Sequence, residues 1–479
     1  MTSTTSAPRG ALDRFFRITE RGSTVGTEIR GGLVTFFAMS YIIVLNPLII
    51  GTSADGTGSF LGGGDAPNLS MIASATALIA GVMSILMGVV ANFPLAMAAG
   101  LGLNAVVAYS IAALPGVTWA DAMGVIVIEG LLILVLVLTG FREAVFRAVP
   151  GPLKTAIGAG IGLFITLIGL TNAGFVSGDG GTILSLGNLG TWPILVFVVG
   201  LVLAIVLHAR QVRGAILISI LVATALAIVL ENTLHIGDRT TNPEAGFNSA
   251  PTFTGIVAVP DFSLLGQFDL LGSFQSIGIV TLVLLVFTLL LADFFDTMGT
   301  MVAIGAEAKL LDAQGNPPRT KQILIVDSLG AVAGGMGSVS SNTAFVESTA
   351  GVGDGARTGL ASVVTGVAFL LSTLFAPLVA LVPYEAAAPA LVLVGFLMLT
   401  QVAGIDWKDI EVALPAFLTI SFMPFTYSIA DGIGAGFIAF IVVKLARGKA
   451  RDIHWLMWLV GALFVVYFTI EPLRALLGA

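Results

Sequence analysis

The chain has 479 residues, of which 56% are hydrophobic and only 10% charged, and its mean hydropathy is +1.02. A soluble globular protein carries about 25% charged residues, so this composition excludes that class and indicates a polytopic membrane protein. The net charge is −7, and no basic run could hold nucleic acid. The absence of cysteine excludes disulfides and thiolate metal sites, and the three histidines are too scattered to predict a metal.

The amino-terminal segment, residues 1–29, carries several arginines and has no apolar core. It lacks the apolar stretch of a cleavable signal peptide. We therefore expect a cytosolic tail, with the first span acting as the membrane signal.

Apolar segments of the length that crosses a bilayer, about 20 residues each, predict two sets of seven spans. The first set lies near 31–50, 70–90, 95–113, 121–139, 154–171, 191–208 and 213–230. The second set lies near 279–304, 321–337, 343–353, 358–382, 387–403, 410–426 and 430–446. A polar stretch at about 231–275 separates the sets. A further apolar run at 455–472 fits either a fifteenth crossing or a helix on the membrane surface.

The distribution of basic residues agrees with fourteen crossings. Lys and Arg near span ends collect on the cytoplasmic side of a membrane. With the amino terminus inside, all of the 21 basic residues except Arg239 and Arg474 fall on cytoplasmic segments. This orientation makes the polar stretch an external loop. The expected location is the plasma membrane.

Two sets of seven spans predict an inverted repeat, in which the halves have opposite orientations. The third segment of each set is irregular: residues 93–110 contain a proline and closely spaced glycines, and residues 337–355 are short and rich in serine. Interrupted segments at corresponding places in two halves indicate discontinuous helices that meet near the middle of the membrane. Broken backbone at that depth is tolerated only where it is buried or lines a cavity.

Two acidic residues, Asp293 and Asp296, lie inside the apolar run 281–305. A carboxylate in hydrocarbon costs at least about 2.5–3.5 kcal/mol. Residues three and four apart share a helix face, which predicts one polar wall that also includes Thr297 and Thr300. Intramembrane acids indicate a binding or ion-coupling site by default, and the alternative is a pair of structural aspartates bonded to neighbouring helices.

The positions of Asn46 and Asn104 in the first half match those of Asp296 and Glu347 in the second, which supports the repeat. Such a repeat would bring Asp293, Asp296, Asn104 and Glu347 together. Carboxylates accept from ring N–H groups, and an amide both donates and accepts, which suits a small, flat, neutral heterocycle.

Phe345 could lie against the face of such a ring. Burial disfavours a charged carboxylate, so Asp296 or Asp293 is the candidate proton carrier, and Glu347 the candidate ligand-binding acid. Sodium coupling through the same oxygens stays open. Two further acids in spans, Glu129 and Asp327, are expected to be structural hydrogen-bond partners.

Four segments resemble the signature segments of AzgA-type purine permeases, a branch of the nucleobase–cation symporter superfamily that includes uracil and ascorbate transporters. They are EIRGGLVTFFAMSYIIVLNPLII (28–50), AMAAGLGLNAVVAYS (96–110), LADFFDTMGTMVAIG (291–305) and SSNTAFVESTAGVGDGARTGLASVVTG (340–366). The resemblance covers roughly residues 15–447. It implies proton-coupled uptake of hypoxanthine, guanine and adenine without a cofactor.

The resemblance also implies an elevator-like movement of a core domain against a gate domain, often in a dimer. The core comprises 30–140 and 279–382, and the gate 141–231 and 383–447, with an external loop at 232–278 and a carboxy-terminal segment at 448–479. Spans 3 and 10 would each hold a short strand before a half-helix, with the substrate between them.

Carried over by position, the resemblance implies substrate-binding roles for Glu347, Asp293 and Asn104. The predicted substrate-binding set also includes Phe345, Ala344 and Gly102, which lie close to them in sequence. It aligns Asp296 with the span-8 acid of uracil-type relatives. Supporting roles fall to Thr297, Thr300, Asn46 and Ser348. The chain departs from the family pattern at Ala98 or Ala99 and at Asn342, Ala344 and Phe345, beside the expected site, which leaves the preferred purine open.

The sequence offers three alternatives to a purine symporter. A transporter of uracil or xanthine would use the same fold. In an anion exchanger of that fold, the carboxylates at the site would repel the transported anion. An intramembrane aspartyl protease would explain the GxGD pattern ending at Asp354, but none of the five tyrosines precedes an aspartate, as those enzymes require.

Overall fold

The structure is a computed structural model that describes residues 10–139, 149–178, 183–239, 241–253, 255–312 and 316–477. The elements before residue 240 are α1 (Ala11–Phe16), α2 (Val25–Met39), α3 (Ile42–Gly51), α4 (Leu69–Leu86), β1 (Met97–Ala99), α5 (Leu101–Val106), α6 (Trp119–Thr139), α7 (Gly151–Asn172), β2 (Val176–Ser177), β3 (Ser185–Leu186), α8 (Trp192–Ala209) and α9 (Ala215–Leu234). Those after it are α10 (Leu270–Ser276), α11 (Ile279–Glu307), α12 (Thr320–Met336), β4 (Asn342–Ala344), α13 (Ser348–Gly353), α14 (Gly359–Ser372), α15 (Tyr384–Leu399), α16 (Ile410–Thr426), α17 (Ile429–Ala446) and α18 (Trp455–Leu477).

The described chain is mostly helical and crosses the membrane several times. Ten of its helical stretches are long and apolar enough to span a bilayer. Shorter apolar helices occupy Leu101–Ile111, Ile410–Thr426 and Trp455–Thr469. The polytopic class predicted from composition is therefore confirmed, and the fourteen-span count and its orientation stay predictions.

The two irregular segments meet each other through a short strand pair. Strand β1 pairs with β4 in antiparallel register, with Met97 opposite Ala344 and Ala99 opposite Asn342. The ladder continues past Ala344, where the Phe345 N–H donates to the Ala96 carbonyl at 3.0 Å. Both strands are completely buried, so each broken helix satisfies the backbone of the other, as irregular backbone at membrane depth requires.

Small residues let the helices approach closely, as expected for membrane helices. A Cβ added at Gly162 of α7 would lie 2.7 Å from the Gly395 carbonyl oxygen of α15. One added at Gly436 of α17 would lie 1.8 Å from the Thr419 hydroxyl of α16. The glycine-rich runs 158–162 and 432–436 thus serve packing.

The most extensive helix contacts fall into two groups. One joins α2, α4, α6, α12 and α14. The other joins α7, α8, α9, α15, α16 and α17. Contacts between the groups are sparse, and α5 and α11 lie at the border, since both also contact α7. Helix α18 packs along α17, where the buried Phe464 ring sits against Gly434.

Candidate functional site

The two aspartates of α11 lie in different environments. Asp293 is completely buried, whereas Asp296, less than one turn further on, is exposed. Exposure continues at Gly299 and Ala303, on the same face of the helix. The expected single polar wall therefore divides into a buried edge with Asp293 and Thr297 and an open edge with Asp296.

The open edge carries one pair of acids, Asp296 and Glu347, which interact electrostatically. Glu347 immediately precedes α13 and is partly exposed. The hydroxyl of Tyr41, a side chain that is only 1% exposed, donates a hydrogen bond to Glu347 Oε1. We call Asp296, Glu347 and Tyr41 the outer acid group.

The buried edge carries a second set of acids, Glu129, Asp293 and Asp327, which we call the inner acid group. All three are at most 2% exposed, and Glu129 of α6 and Asp327 of α12 both interact electrostatically with Asp293. The Thr297 hydroxyl donates to Asp327 Oδ1 at 2.8 Å and lies 2.8 Å from the Thr343 hydroxyl of β4. Asp327 is thus the hydrogen-bond partner that its sequence position predicts.

Glu129 differs from that expectation. Within the described part of the chain, neither of its carboxylate oxygens has a hydrogen-bond partner. Its neighbours are the other two inner acids, so sequence reasoning placed it wrongly among ordinary structural partners.

Asn104 and Gly102, the predicted residues of the first irregular segment, lie on α5. Asn104 is completely buried, and neither its amide nitrogen nor its amide oxygen has a partner among the described residues, so it is not hydrogen-bonded to the acids. Gly102 faces the other helix group, because an added Cβ would lie 2.7 Å from Ile161 of α7.

The predicted residues around Glu347 belong to the second irregular segment. Ala344 lies in the strand pair, and Phe345 is 6% exposed. The Ser348 hydroxyl accepts from the Ala96 N–H at 3.0 Å, so this serine fastens the two irregular segments together.

Two predicted supporting residues have no hydrogen bond to the acids in the described structure. Asn46 donates to the Thr76 hydroxyl at 2.8 Å and to the Val339 carbonyl at 3.2 Å, which links α3 to α4 and to the second irregular segment. Thr300 is buried on α11, at 6% exposure.

The outer acid group offers acceptor oxygens to a ligand. No lysine or arginine forms an ion pair with Asp296 or Glu347 within the described residues, so their oxygens are available to N–H donors. No group of three or more His, Asp or Glu in the described chain is arranged to hold a metal ion. The arrangement suits a neutral molecule with N–H groups and an exchangeable proton.

Solved structures define the class of fold. The transmembrane domain of the cyanobacterial bicarbonate transporter BicA superposes with a TM-score of 0.59 at 17% identity, over 86% of this chain and 97% of that one. SLC26A9 superposes with a TM-score of 0.60 at 12% identity, over 88% of this chain and 66% of that one. The chain therefore has the fold of these multi-pass membrane proteins.

Sequence relatives define the family. The Permease family, that of xanthine and uracil permeases, matches residues 26–435. The chain is 37% identical over 463 residues to the guanine/hypoxanthine permease PbuG of Bacillus subtilis (strain 168), covering 95% of this chain and 99% of that protein. It is 36% identical over 464 residues to the adenine permease AdeP of Escherichia coli (strain K12), covering 97% of each. The chain belongs to this permease family, and it is a transporter rather than an enzyme.

Proposed function

We propose that this protein imports purine nucleobases, namely hypoxanthine, guanine or adenine, by proton symport across the plasma membrane. The observation that carries the proposal is the outer acid group: two accessible carboxylates from different elements interact electrostatically, and neither forms an ion pair with lysine or arginine among the described residues. The purine specificity rests on the relatives, which are named for guanine, hypoxanthine and adenine.

The ligand chemistry follows from the side-chain types that we propose for the site. A purine ring carries N–H donors that a carboxylate such as Glu347 accepts, and ring nitrogens that an amide such as Asn104 reaches as a donor. Buried amide groups normally have hydrogen-bond partners, so the unpartnered side chain of Asn104 supports a role toward a ligand. Phe345 offers a ring face for the flat base.

Proton coupling follows from the position of the α11 acids. Asp296 is accessible and has an acidic neighbour on each side, Asp293 and Glu347. Two adjacent carboxylates disfavour their simultaneous ionisation. We assign the transported proton to Asp296, with Asp293 as the alternative carrier and sodium as the alternative ion.

The transport movement is an elevator of a core domain (30–140 and 279–382) against a gate domain (141–231 and 383–447), in an inverted repeat of fourteen spans with the amino terminus in the cytoplasm. The two groups of tightly packed helices support this division, because few contacts would have to change between them. An anion exchanger of the same fold is disfavoured, since the outer acids repel anions.

Uptake of labelled hypoxanthine into cells that express the chain tests the function. We expect uptake that unlabelled adenine or guanine competes for, that uracil does not, and that a proton uncoupler abolishes. If uptake persists with the uncoupler and requires sodium, the coupling ion is sodium and not the proton. Competition by uracil or xanthine alone would move the substrate to another nucleobase.

A further inference from the structure

Tyr41 lies at a break in the first long apolar stretch. Helix α2 ends at Met39 and α3 begins at Ile42, while backbone bonds bridge the break: the Ser40 N–H donates to Phe36 at 2.7 Å and the Leu45 N–H to Tyr41 at 2.9 Å. The break does not expose the tyrosine, which is 1% accessible. Its hydroxyl reaches the second half of the chain, 306 residues away, at Glu347.

The bond reaches a carboxylate that forms no ion pair within the described residues. Glu347 stands at the cap position of α13, yet its side chain makes no capping bond to that helix. Tyr41 is its only side-chain donor among the described residues. The phenol bonds Oε1, which leaves Oε2 for a ligand.

Building on the proposed function, we infer that Tyr41 is a positioning residue that keeps Glu347 charged and oriented toward the purine, so that Asp296 and not Glu347 exchanges the proton. A phenol bonded to a carboxylate forms a charge-assisted hydrogen bond, and such a donor stabilises the ionised form. Asp296 receives no hydrogen bond in the described structure and is exposed.

Two side chains face Glu347, and they have different roles toward it. Tyr41 approaches from the break before α3, and Asp296 approaches from α11. Tyr41 also lies within electrostatic range of Asp296. Protonation of Asp296 removes the like charge beside Glu347, and purine binding and proton binding thereby favour each other.

The test compares Tyr41→Phe, in the full chain, with Tyr467→Phe on helix α18, which likewise removes a hydroxyl bonded to a carboxylate, that of Asp431. Equilibrium binding of labelled hypoxanthine is measured across pH together with thermal stability. We expect Tyr41→Phe to be as stable as Tyr467→Phe and to bind hypoxanthine about tenfold more weakly at neutral pH. The fall in binding at acidic pH (the acidic limb of the profile) should begin at a higher pH than in the wild type. In a Glu347→Gln background, Tyr41→Phe has no further effect, because the two residues act as one unit.

Unchanged affinity and pH profile in Tyr41→Phe, or an equal loss in the Glu347→Gln background, overturns the inference. If Tyr41→Phe does not fold, difluorotyrosine at position 41 replaces it. The stronger donor is then expected to move the acidic limb to lower pH, and an unmoved limb overturns the inference. Failure of the wild type to bind any purine refutes the proposed function instead, so the two failures are distinguishable.

Discussion

The inner and outer acid groups use neighbouring residues of one helix, yet they differ in exposure and in the residues beside them. Asp293 is completely buried beside Glu129 and Asp327, and the Thr297 and Thr343 hydroxyls donate to Asp327. Asp296 is exposed, beside a partly exposed Glu347 that a phenol holds. The comparison points to solvent access, rather than residue type or helix position, as the difference between the groups, because within the described residues the Asp293 and Glu129 oxygens lack hydrogen-bond partners just as those of Asp296 do.

The largest expected effect lies in the outer group, with Glu347→Gln. Because hydrogen bonds to charged groups contribute about 1.5–3 kcal/mol, purine affinity should fall by about 10- to 150-fold, and uptake should be lost. Equilibrium binding of labelled hypoxanthine measures it. Glu307→Gln at the exposed end of α11 is the control, and wild-type affinity in Glu347→Gln would remove the outer group from the binding site.

The next effect separates binding from coupling within the outer group, through Asp296→Asn. The neutral amide cannot carry a proton, so accumulation driven by a pH gradient should be lost, while exchange of internal for external labelled purine continues. Both are measured in the same vesicles. If accumulation survives this change and fails in Asp293→Asn, the proton belongs to the inner group.

A smaller effect is expected for Thr297→Val in the inner group. The substitution removes the donor to Asp327 and the bond to Thr343, which should lower the free energy of unfolding by about 1–3 kcal/mol. Purine affinity should stay within about twofold. Thermal unfolding measures the loss, and Thr300→Val, a buried neighbour on the same helix, is the matched control. A loss of affinity without a loss of stability would give the inner group a direct role in binding.

The smallest effect concerns an acid outside the membrane spans, Asp354, which pairs with Arg30 and Arg213. Partial burial raises the pKa of this carboxyl, but the two arginines outweigh it and hold the pKa below its ordinary value of 3.8. Because a lowered pKa adds stability only above the unfolded value, the contribution is present above about pH 4 and is lost as the pH falls through the folded pKa.

Both arginines are more than half exposed, so Asp354→Asn should cost at most about 1 kcal/mol at pH 7. The difference from the wild type should vanish in acid. Thermal unfolding of both proteins across pH measures it, and a difference that grows on acidification would contradict the ion pair as its source.

The local parts of this picture could be predicted from the sequence. The apolar run around Asp293 and Asp296, and the Gly-, Pro- and Ser-rich interruptions, indicated membrane acids beside broken helices, and the structure has both. The division between Asp293 and Asp296 could not be predicted, because the helical period places them on one face and only neighbouring helices decide which one is covered.

Contacts between residues far apart in the chain could not be predicted either, because they too depend on how the helices pack. The bond from Tyr41 to Glu347 joins residues 306 positions apart, and its one sequence signal was a tyrosine within an apolar segment. The sequence could not predict that Glu129 lies beside Asp293 of α11 and Asp327 of α12. Gly102, expected beside the substrate, meets Ile161 across the border of the two helix groups, a contact that the sequence could not predict.

Proton movement driven by the purine itself tests the central claim most directly. Purified protein in vesicles that contain a pH-sensitive dye receives hypoxanthine outside, with no pH gradient imposed. The outer acid group predicts that the lumen acidifies as the base enters, and that Asp296→Asn takes up no protons while it still binds the base. Entry of hypoxanthine with no proton movement in the wild type would contradict it.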